Sequence, residues 1–507
     1  VAGPVISAPV AASKHVAVVG GGITGLATAF ALHEQATQAG FRVRLTLIDA
    51  DPAWGGKIVT HRVGDLIIEA GPDSFLSQKP WAIELCGKLG LSEQLINTNE
   101  FQKKTFVFSR GRLRELPEGL VLVVPTRLGP FLRSGLLSWP GLARMAMDLV
   151  IPARRGGGDE SLASFFRRRI GREAFERVVE PLMAGIYAGD AEQMSLSATF
   201  PRFRELERQH GSLIRGMLAA RHTQTGRDRS AGPPRTMFVT LREGLGTMVH
   251  ALVSRLSKSG VTLLPGRRVV GLRARSGQPA KGTHGLRLED GTAVSADAVV
   301  LATPAYVTAE LVRPLSDSAT ELLKAIPYVS TATISLAYDV GEIGNSVRGF
   351  GFVVPRAEGR DLLAATWSSI KWPNRAPATR TLIRCYVGGI GRDALLKLDD
   401  EPLVRRVREE LASMTGLAAE PTYVEVNRWE RAMPQYTLGH LQRLDEIQKS
   451  LRAYPGLYLA GAAYHGIGIP DCIRDGTETA AAVLRDITAG SRRRASVGLA
   501  KDPGPKL

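Results

Sequence analysis

Short apolar runs that lead into polar or glycine-rich turns occur near both ends of the chain. Residues 15–19 form a nearly continuous apolar run, typical of a parallel strand buried on both faces. Residues 26–32 are compatible with a helix, and residues 42–48 form a second strand-like run. A similar run at 457–460 leads into Gly461. The pattern predicts an α/β fold whose main sheet is assembled from distant segments.

The middle of the chain changes from a helical to a strand pattern. Residues from about 77 to 236 read mostly as amphipathic helix with little strand pattern, while residues 311–424 are rich in strand-like runs. Residues 237–310 contain short alternating runs that indicate a small sheet laid on the main one. A mixed α+β domain and a helical segment are therefore expected beside the α/β domain.

The composition is typical of globular proteins, but the chain has an excess of basic residues that needs an explanation. The chain has 507 residues, 44% of them hydrophobic and 22% charged, and 65 Lys and Arg against 49 Asp and Glu give a net charge of +16. An anionic partner is one explanation, whether a membrane surface or an acidic small molecule; a merely basic soluble surface is the other. No nucleic-acid-binding motif is present in the sequence, so a nucleic-acid partner is not expected.

The cysteines and the apolar runs bear on location. Cys86, Cys385 and Cys472 are far apart and lack metal-ligand spacing, a pattern typical of a reducing compartment. The longest apolar runs fall short of the ~18 residues that suggest a spanning helix. The first residues have no charged region before a long apolar core, so no secretion signal is expected. We predict a cytoplasmic location, or a peripheral one on the cytoplasmic face of a membrane.

A glycine fingerprint follows the first strand-like run. Gly20, Gly22 and Gly25 have the G-x-G-x-x-G spacing, and Asp49 ends the second strand-like run. The first glycine permits a tight turn, the second lets backbone approach a pyrophosphate at the helix N-terminus, and the third allows close helix–strand packing. The acid can accept hydrogen bonds from a ribose. The unit predicts dinucleotide binding.

Two further glycine clusters indicate where else the chain passes close to the cofactor. Gly55 and Gly56 lie just past the acidic strand end, in a second loop that nicotinamide-binding folds usually lack. Gly461 and the pair Gly466 and Gly468 lie near the C-terminus. Glycines at both ends of the chain imply a cofactor domain built from both ends.

Six segments of the sequence carry recognisable motifs: Gly20–Gly25, Gly55–Lys57, Glu69–Phe75, Gly185–Asp190, Pro434–His440 and Gly466–Ile473. Together, over about residues 15–485, they resemble the FAD-dependent protoporphyrinogen/coproporphyrinogen oxidases of haem biosynthesis. The fingerprint and the Gly-Gly-Lys loop are shared with the wider flavin amine oxidase superfamily. Gly-Pro-Asp-Ser-Phe, Tyr-Ala-Gly-Asp and Gly-Ile-Pro-Asp-Cys-Ile are more specific.

The resemblance implies a Rossmann-type FAD-binding domain made of discontinuous segments, with a mixed α+β substrate domain and a helical segment. The implied division is a leader or disordered segment at 1–14, the FAD-binding domain at 15–76, 237–310 and 425–488, a helical substrate- and membrane-associated region at 77–236, a substrate-domain sheet at 311–424 and a loose tail at 489–507.

The resemblance also implies individual contacts with a non-covalently bound FAD. The pyrophosphate would lie on Gly20, Gly21, Gly22 and Gly25, with Ile23 and Thr24 in the same turn. Asp49, with Ala50 beside it, would contact the ribose, although relatives generally have the longer Glu there. The remaining implied contacts are Lys57, Gly71, Pro72, Asp73 and Ser74 along the flavin, Val269 at the adenine, and Trp429, Gly466, Ile467, Gly468 and Ile469 over the isoalloxazine. Trp429 as plain core and Lys57 as a surface lysine remain the alternatives.

The implied reaction passes hydride from a porphyrinogen to FAD, which oxygen reoxidises with formation of hydrogen peroxide. No Ser-His-Asp set, metal cluster or acid–base carboxylate pair is recognisable, so no catalytic residue is assigned. Mitochondrial-type relatives carry an Arg at the position of Thr105. Its absence leaves Lys79 as the first candidate for binding a substrate propionate, followed by Lys103 and Lys104.

Two other interpretations stay open at this point. A flavin amine oxidase or carotenoid-type desaturase shares the nucleotide motifs but should lack the Tyr187–Asp190 and Pro470–Ile473 blocks. A flavin- or porphyrin-binding carrier without turnover is compatible with the lack of an obligatory catalytic side chain. The oligomeric state is not predicted.

Overall fold

The computed structural model describes residues 14–117, 120–121, 124–125, 134–154, 156–224, 235–274, 284–343 and 348–498. Nearly all of the expected leader, at residues 1–13, lies outside the described residues. The C-terminal helix Ile469–Gly498 continues into the segment predicted as a loose tail, and 499–507 lie outside the described residues.

A five-stranded parallel sheet holds together segments that are far apart in the sequence. Its strands, in spatial order, are Thr262–Leu264, Val43–Ile48, Lys14–Val19, Ala298–Leu301 and Leu457–Leu459. The first strand lies in the middle, paired in parallel with Val43–Ile48 on one side and Ala298–Leu301 on the other. The C-terminal strand closes one edge, so both ends of the chain build this sheet.

The side chains of the central strand are apolar on both faces because both faces of the sheet are covered. Val16 and Val18 belong to one hydrophobic core, and Ala17 and Val19 belong to another on the opposite face. The helices around this sheet are Ile23–Gln38, Gly246–Lys258, Ala305–Val312, Asp317–Lys324, His440–Leu451 and Ile469–Gly498. A doubly covered parallel sheet is the arrangement expected of an α/β fold.

The first and last helices of the domain cross at very close range. A Cβ built on Gly476 would lie 2.7 Å from the Thr24 carbonyl oxygen and 2.8 Å from the Thr28 hydroxyl. Only a glycine therefore lets the C-terminal helix pack this closely on the helix that follows the fingerprint. This contact fixes the C-terminal glycine loop beside the N-terminal one.

Four small sheets accompany the main one. Val269–Ala274, His284–Leu288 and Ala293–Ala296 form an antiparallel sheet, as the sequence indicates for this region. The others pair Phe75–Leu76 and Leu95–Asn97 with Phe238–Leu241, Thr60–Val63 with Leu66–Glu69, and Leu120–Val121 with Val124–Pro125.

A seven-stranded sheet forms the second large layer. Its strands, in spatial order, are Tyr423–Pro434, Tyr328–Asp339, Arg380–Gly388, Leu362–Trp367, Gly351–Val353, Thr105–Ser109 and Arg112–Glu115. All neighbours are antiparallel except Gly351–Val353 with Thr105–Ser109. Helices Val340–Ile343, Ser368–Lys371, Asp393–Leu396 and Asp400–Thr415 accompany it.

This sheet takes strands from outside the segment 311–424. Thr105–Ser109 and Arg112–Glu115 come from the stretch 77–236, for which the sequence predicts mostly helix. The sequence does not predict these two strands because their apolar runs are short. Tyr423–Pro434 pairs with residues 328–337 of Tyr328–Asp339, with one register shift between Val329 and Thr331, although the sequence groups residues 425–488 with the cofactor domain. Long antiparallel pairing thus extends the sheet across that boundary.

The helical region consists of short helices, most of which surround one apolar core, whereas Trp81–Lys88 packs into the core beside the parallel sheet. They are Trp81–Lys88, Trp139–Ala146, Leu162–Ile170, Arg172–Ala174, Glu180–Tyr187, Leu196–Thr199, Pro201–His210 and Leu213–Gln224, with a π-helical turn at Phe175–Val179 and 3₁₀ turns at Ser92–Gln94, Glu100–Gln102, Met147–Leu149 and, beside the large sheet, Arg356–Glu358. Phe165, Phe166 and Phe203 pack edge-on in its centre. Serine caps such as Ser161, which accepts a hydrogen bond from the Ser164 amide, start several helices.

The arginines that follow Phe166 are engaged inside the protein. Arg169 is fully buried and pairs with the buried Asp148 at 2.5 Å, and Arg168 binds both Glu160 and Glu207. A buried arginine needs such partners to offset its desolvation. Arg168 and Arg169 are therefore not free to bind a membrane surface or a substrate.

Within the described ranges, no helix has the length and apolar character needed to cross a membrane. The same residues contain no cluster of three or more potential metal ligands. The three cysteines are free and buried.

Candidate cofactor and substrate site

The first glycine loop joins the central strand to the helix Ile23–Gln38. Gly20 has φ +111°, and a Cβ on Gly25 would lie 1.8 Å from the Gly20 carbonyl oxygen, so both positions require glycine. Gly22 differs, because a Cβ there would meet no protein atom within 4 Å. Ile23 and Thr24 form the first helical turn. The open space at Gly22, next to a helix N-terminus, fits a pyrophosphate.

The second glycine loop is bonded directly to the first. The Gly55 amide donates to the Gly21 carbonyl at 2.9 Å, and Gly22 and Gly55 form a parallel bridge. A Cβ on Gly56 would lie 3.2 Å from the Gly22 Cα. The two loops therefore form one cradle, and neither can move without the other.

The acid at the second strand end supports this cradle. The Asp49 carboxylate accepts hydrogen bonds from the amides of Gly21 and Asp51, while the exposed Ala50 lies between Asp49 and Asp51. Burial raises the pKa of Asp49 above its ordinary value, against the opposing effect of these hydrogen bonds. Each carboxylate oxygen can accept a further bond, which leaves capacity for a ribose hydroxyl.

Val269 lies at the same end of the sheet as Asp49. It is buried in one core with Val19 and Ile48. Two residues earlier, the Arg267 amide donates to the Asp49 carbonyl at 2.7 Å. The structure thus brings Val269 close to the predicted ribose site, while its side chain serves the core.

Lys57 and Gly71 meet where the second loop passes the Gly-Pro-Asp-Ser-Phe segment. A Cβ on Gly71 would lie 1.8 Å from the Lys57 carbonyl oxygen and 3.5 Å from the Trp429 ring. Lys57 is exposed to solvent. The protein atoms around it nevertheless desolvate its ammonium group, and this desolvation lowers its pKa. Trp429 donates from Nε1 to the Ala70 carbonyl at 2.9 Å. Trp429, Lys57 and Gly71 are therefore brought together.

The rest of this segment is fixed by charge. Pro72 precedes Asp73, whose carboxylate accepts hydrogen bonds from Ser74 at 2.6 Å, Trp372 at 3.1 Å and Lys371 at 3.2 Å. Burial alone would raise the pKa of Asp73, but the charges of Lys371 and Arg384 and these hydrogen bonds hold it well below its ordinary value. Asp73 is an anion that anchors this segment to the large sheet.

The C-terminal glycine loop is held by a tyrosine. Gly466 has φ +134°, and its amide donates to the Tyr436 hydroxyl at 2.8 Å, which in turn donates to the Ala462 carbonyl at 2.6 Å. Ile467 packs against the core of the helical region, whereas Ile469 is buried with the helix that follows the fingerprint. The loop therefore bridges the cofactor domain and the helical region.

Asp471 lies directly beneath this loop. A Cβ on Gly466 would lie 2.5 Å from the Asp471 Cβ, and one on Gly468 would lie 3.0 Å from its carboxylate. Lys79 binds the same carboxylate at 2.5 Å; the side chains are 39% and 8% exposed, respectively. Lys79 is thus ion-paired in the protein itself.

The segments that carry the specific resemblance meet at one place. Gln435 donates from Nε2 to the Tyr187 carbonyl at 2.9 Å, and Tyr436 stacks on His440 with ring centroids 4.2 Å apart. Ala188 has φ +49°, a left-handed conformation unusual for a residue with a side chain. Distant motifs therefore converge beside the C-terminal glycine loop.

Thr105 lies at the start of its strand and pairs with Gly351. Its carbonyl accepts a hydrogen bond from the Leu116 amide at 2.8 Å. Lys103 and Lys104 precede it and are exposed, and Lys104 pairs with Glu115 at 2.8 Å.

Sequence reasoning missed Arg384, Lys371 and Trp372, all of which reach the Gly-Pro-Asp-Ser-Phe segment. Arg384 is buried and donates to the carbonyls of Ala70 and Gly71. The available signal was a charged residue in the middle of the apolar run Arg380–Gly388.

A parallel sheet with two hydrogen-bonded glycine loops and an acid at the strand end is the arrangement of a dinucleotide-binding domain. Residues 23–484 match the model of the flavin containing amine oxidoreductase family, and the chain belongs to this family. It is a flavin-dependent oxidoreductase with FAD as cofactor.

Individual relatives within this family show which enzymes the chain is similar to. A coproporphyrinogen III oxidase of Bacillus subtilis (strain 168) is 39% identical over 91% of this chain and 96% of that protein. A chloroplastic protoporphyrinogen oxidase of rice, Oryza sativa subsp. japonica, is 31% identical over 94% and 89%, respectively. The crystal structure of a candidate protoporphyrinogen oxidase from Exiguobacterium sp. 255-15 superposes with a TM-score of 0.81 at 32% identity, covering 93% of this chain and 99% of that chain.

Proposed function

We propose that this oxidoreductase acts on porphyrinogens, with coproporphyrinogen III preferred over protoporphyrinogen IX. The observation that carries the proposal is the ranking of relatives, since coproporphyrinogen III oxidases share more identity with the chain than protoporphyrinogen oxidases do. The convergence of Tyr187–Asp190 with Pro434–His440 beside the C-terminal glycine loop supports a site specialised beyond FAD binding.

The chemistry divides between cofactor and protein. Bound FAD would supply the two-electron redox chemistry, as hydride acceptor for the porphyrinogen, with oxygen as the final oxidant and hydrogen peroxide as its product. The cradle of Gly20–Gly25 with Gly55 and Gly56 would hold the pyrophosphate, and Trp429 with Gly466–Ile469 would line the flavin. Pyrrole N–H protons can leave to solvent, so correct placement of the substrate suffices without a dedicated base.

Recognition of the substrate would rest on its propionates. Coproporphyrinogen carries more of these anionic groups than protoporphyrinogen, in which vinyl groups replace two of them. Lys79 is the proposed cationic donor, and its contact with Asp471 means that it would bind propionate while remaining part of an ion pair. Thr105 offers no guanidinium, so a bidentate propionate contact is not available at this position.

Turnover with both porphyrinogens side by side tests the proposal. We expect oxygen-dependent formation of both porphyrins and a higher kcat/KM for coproporphyrinogen III. Anaerobic addition of porphyrinogen should bleach the bound flavin, and air should restore its colour. If the FAD-loaded protein binds porphyrinogen but its flavin does not bleach, the protein is a carrier. A higher kcat/KM for protoporphyrinogen IX would reverse the proposed preference.

Peripheral contact with a membrane is a further part of the proposal. Trp139 and Val150 are 75% and 74% exposed, and Met147 between them is 49% exposed. Apolar side chains on a basic protein suit an anionic bilayer surface. Sedimentation with anionic vesicles tests this. Release by high salt would indicate electrostatic binding, retention would indicate apolar insertion, and no sedimentation would contradict the contact.

A further inference from the structure

A buried arginine next to the flavin side of the site makes no direct contact with a carboxylate among the described residues. Arg384 is 3% exposed in the middle of the strand Arg380–Gly388. Among the residues that the structure describes, no carboxylate lies within ion-pair distance of it, and nearby Asp73 is paired with Lys371 at 3.2 Å. The Arg384 Nε also has no hydrogen-bond partner there. Asp73 and Glu69 therefore balance the charge of Arg384 only at longer range, and its direct contacts are backbone carbonyls and the Tyr386 ring, whose centroid lies 5.0 Å from Cζ. Burying a guanidinium without a contacting carboxylate is costly, so its retention points to a function.

The guanidinium acts on one peptide group. Its Nη2 donates to the Ala70 carbonyl at 3.0 Å and also to the Gly71 carbonyl. Two further donors reach the same Ala70 oxygen, Thr333 Oγ1 at 2.9 Å and Trp429 Nε1 at 2.9 Å. A carbonyl oxygen has two lone pairs, so three donors, one of them charged, polarise this peptide strongly.

The opposite end of that peptide is the Gly71 amide. Across the described part of the chain, nothing accepts a hydrogen bond from this N–H. Because hydrogen bonds to a carbonyl strengthen the donor on the same peptide, the Gly71 N–H is a strengthened donor without an acceptor. Gly71 also lies against the Lys57 backbone and the Trp429 ring, both in the cofactor site.

We propose that Arg384, acting through the Ala70–Gly71 peptide, stabilises the reduced flavin. The Gly71 N–H would donate to an acceptor atom of the flavin ring, and the guanidinium charge would complement the negative charge that the ring gains on reduction. Arg384 is a positioning residue because it acts through the peptide. The inference rests on FAD binding and not on the identity of the substrate.

The test measures the reduction equilibrium of bound FAD against a reference dye, without porphyrinogen. We expect Arg384→Met to lower the equilibrium constant for reduction about tenfold, the equivalent of one charge-assisted hydrogen bond. Arg384→Lys, which keeps the charge but loses the fork, should lie between Met and the unmodified protein. Arg380→Met is the control, since Arg380 lies on the same strand with a 38% exposed side chain.

Thr333→Val supplies a second measurement that leaves the charge in place. It removes one of the three donors with little change in shape, and we expect about a threefold decrease in the same constant. A value within twofold of the unmodified protein for Arg384→Met with FAD bound would overturn the proposal. If Arg384→Met fails to retain FAD, an unchanged constant for Thr333→Val overturns it. Neither result depends on porphyrinogen turnover.

Discussion

Substitution of Gly22 separates the fold of the glycine loop from its use. Gly22 has φ −69° and ψ 178°, an extended conformation that valine adopts readily, and a Cβ would meet no protein atom within 4 Å. Gly22→Val should therefore fold, with its free energy of unfolding without FAD changed by less than about 1 kcal/mol. The neighbouring Gly21 offers no such space, because its Cβ would lie 2.4 Å from the Trp54 ring.

FAD binding should respond very differently. The valine side chain would occupy the open space beside the helix N-terminus, where backbone N–H groups would bind the pyrophosphate. Loss of one charge-assisted hydrogen bond costs roughly 1.5–3 kcal/mol, which corresponds to a roughly 10- to 150-fold weaker affinity. Steric exclusion of the phosphate would add to this loss.

The assay compares FAD content after desalting and FAD affinity on reconstitution of the apoprotein. Gly285→Val is the matched control, since a Cβ there also meets no protein atom within 4 Å and the residue lies in the strand His284–Leu288. Normal FAD content in Gly22→Val would refute the assignment of the loop. An unfolded Gly22→Val apoprotein would refute the reasoning about space.

Three other outcomes are expected. Acid or heat should release FAD intact, as measured by flavin in the supernatant; flavin that stays with the denatured chain would contradict non-covalent binding. Lys79→Ala should lower kcat/KM for coproporphyrinogen more than for protoporphyrinogen, and the difference should be less than about 1 kcal/mol because Lys79 is 39% exposed. The control Lys88→Ala should change neither value. Thr105→Arg should shift the preference toward protoporphyrinogen. Burial lowers the pKa of His440 from 6.5 to about 4, so the unfolded chain binds the extra proton between these values and stability should fall as pH drops from 6.5 to 4. His440→Phe, which keeps the ring stacked on Tyr436, should flatten that slope in urea unfolding, and an unchanged slope would contradict the assignment.

The α/β fold and the family were readable from the sequence because local chemistry dictates them. A tight turn, a close backbone approach and a strand buried on both faces each require particular residues at fixed spacing, and Gly20, Gly25 and Val16–Val19 supply them. The prediction of a flavin-dependent oxidoreductase is confirmed by the family to which the chain belongs. The assignment of individual cofactor contacts stays a prediction.

Partners across the fold were beyond the reach of the sequence. The ion pair of Lys79 with Asp471 joins residues 392 positions apart, and no pattern in the sequence predicts it. The same holds for Arg384, whose contact with Gly71 spans 313 positions. The three arginines after Phe166 form a basic run in the sequence, whereas in the structure Arg169 is buried beside Asp148. Charge patterns identify ions but not the tertiary partners that neutralise them.

The order of strands in the parallel sheet has a consequence for synthesis of the protein on the ribosome. The fingerprint emerges early, but the strand Leu457–Leu459 and the close contact of Gly476 with Thr24 are made by the last part of the chain. A nascent chain therefore contains both loops of the cradle throughout most of translation, but without the C-terminal glycine loop beside them. FAD would be retained only after the helix Ile469–Gly498 has docked, so cofactor loading would report that synthesis has passed this helix.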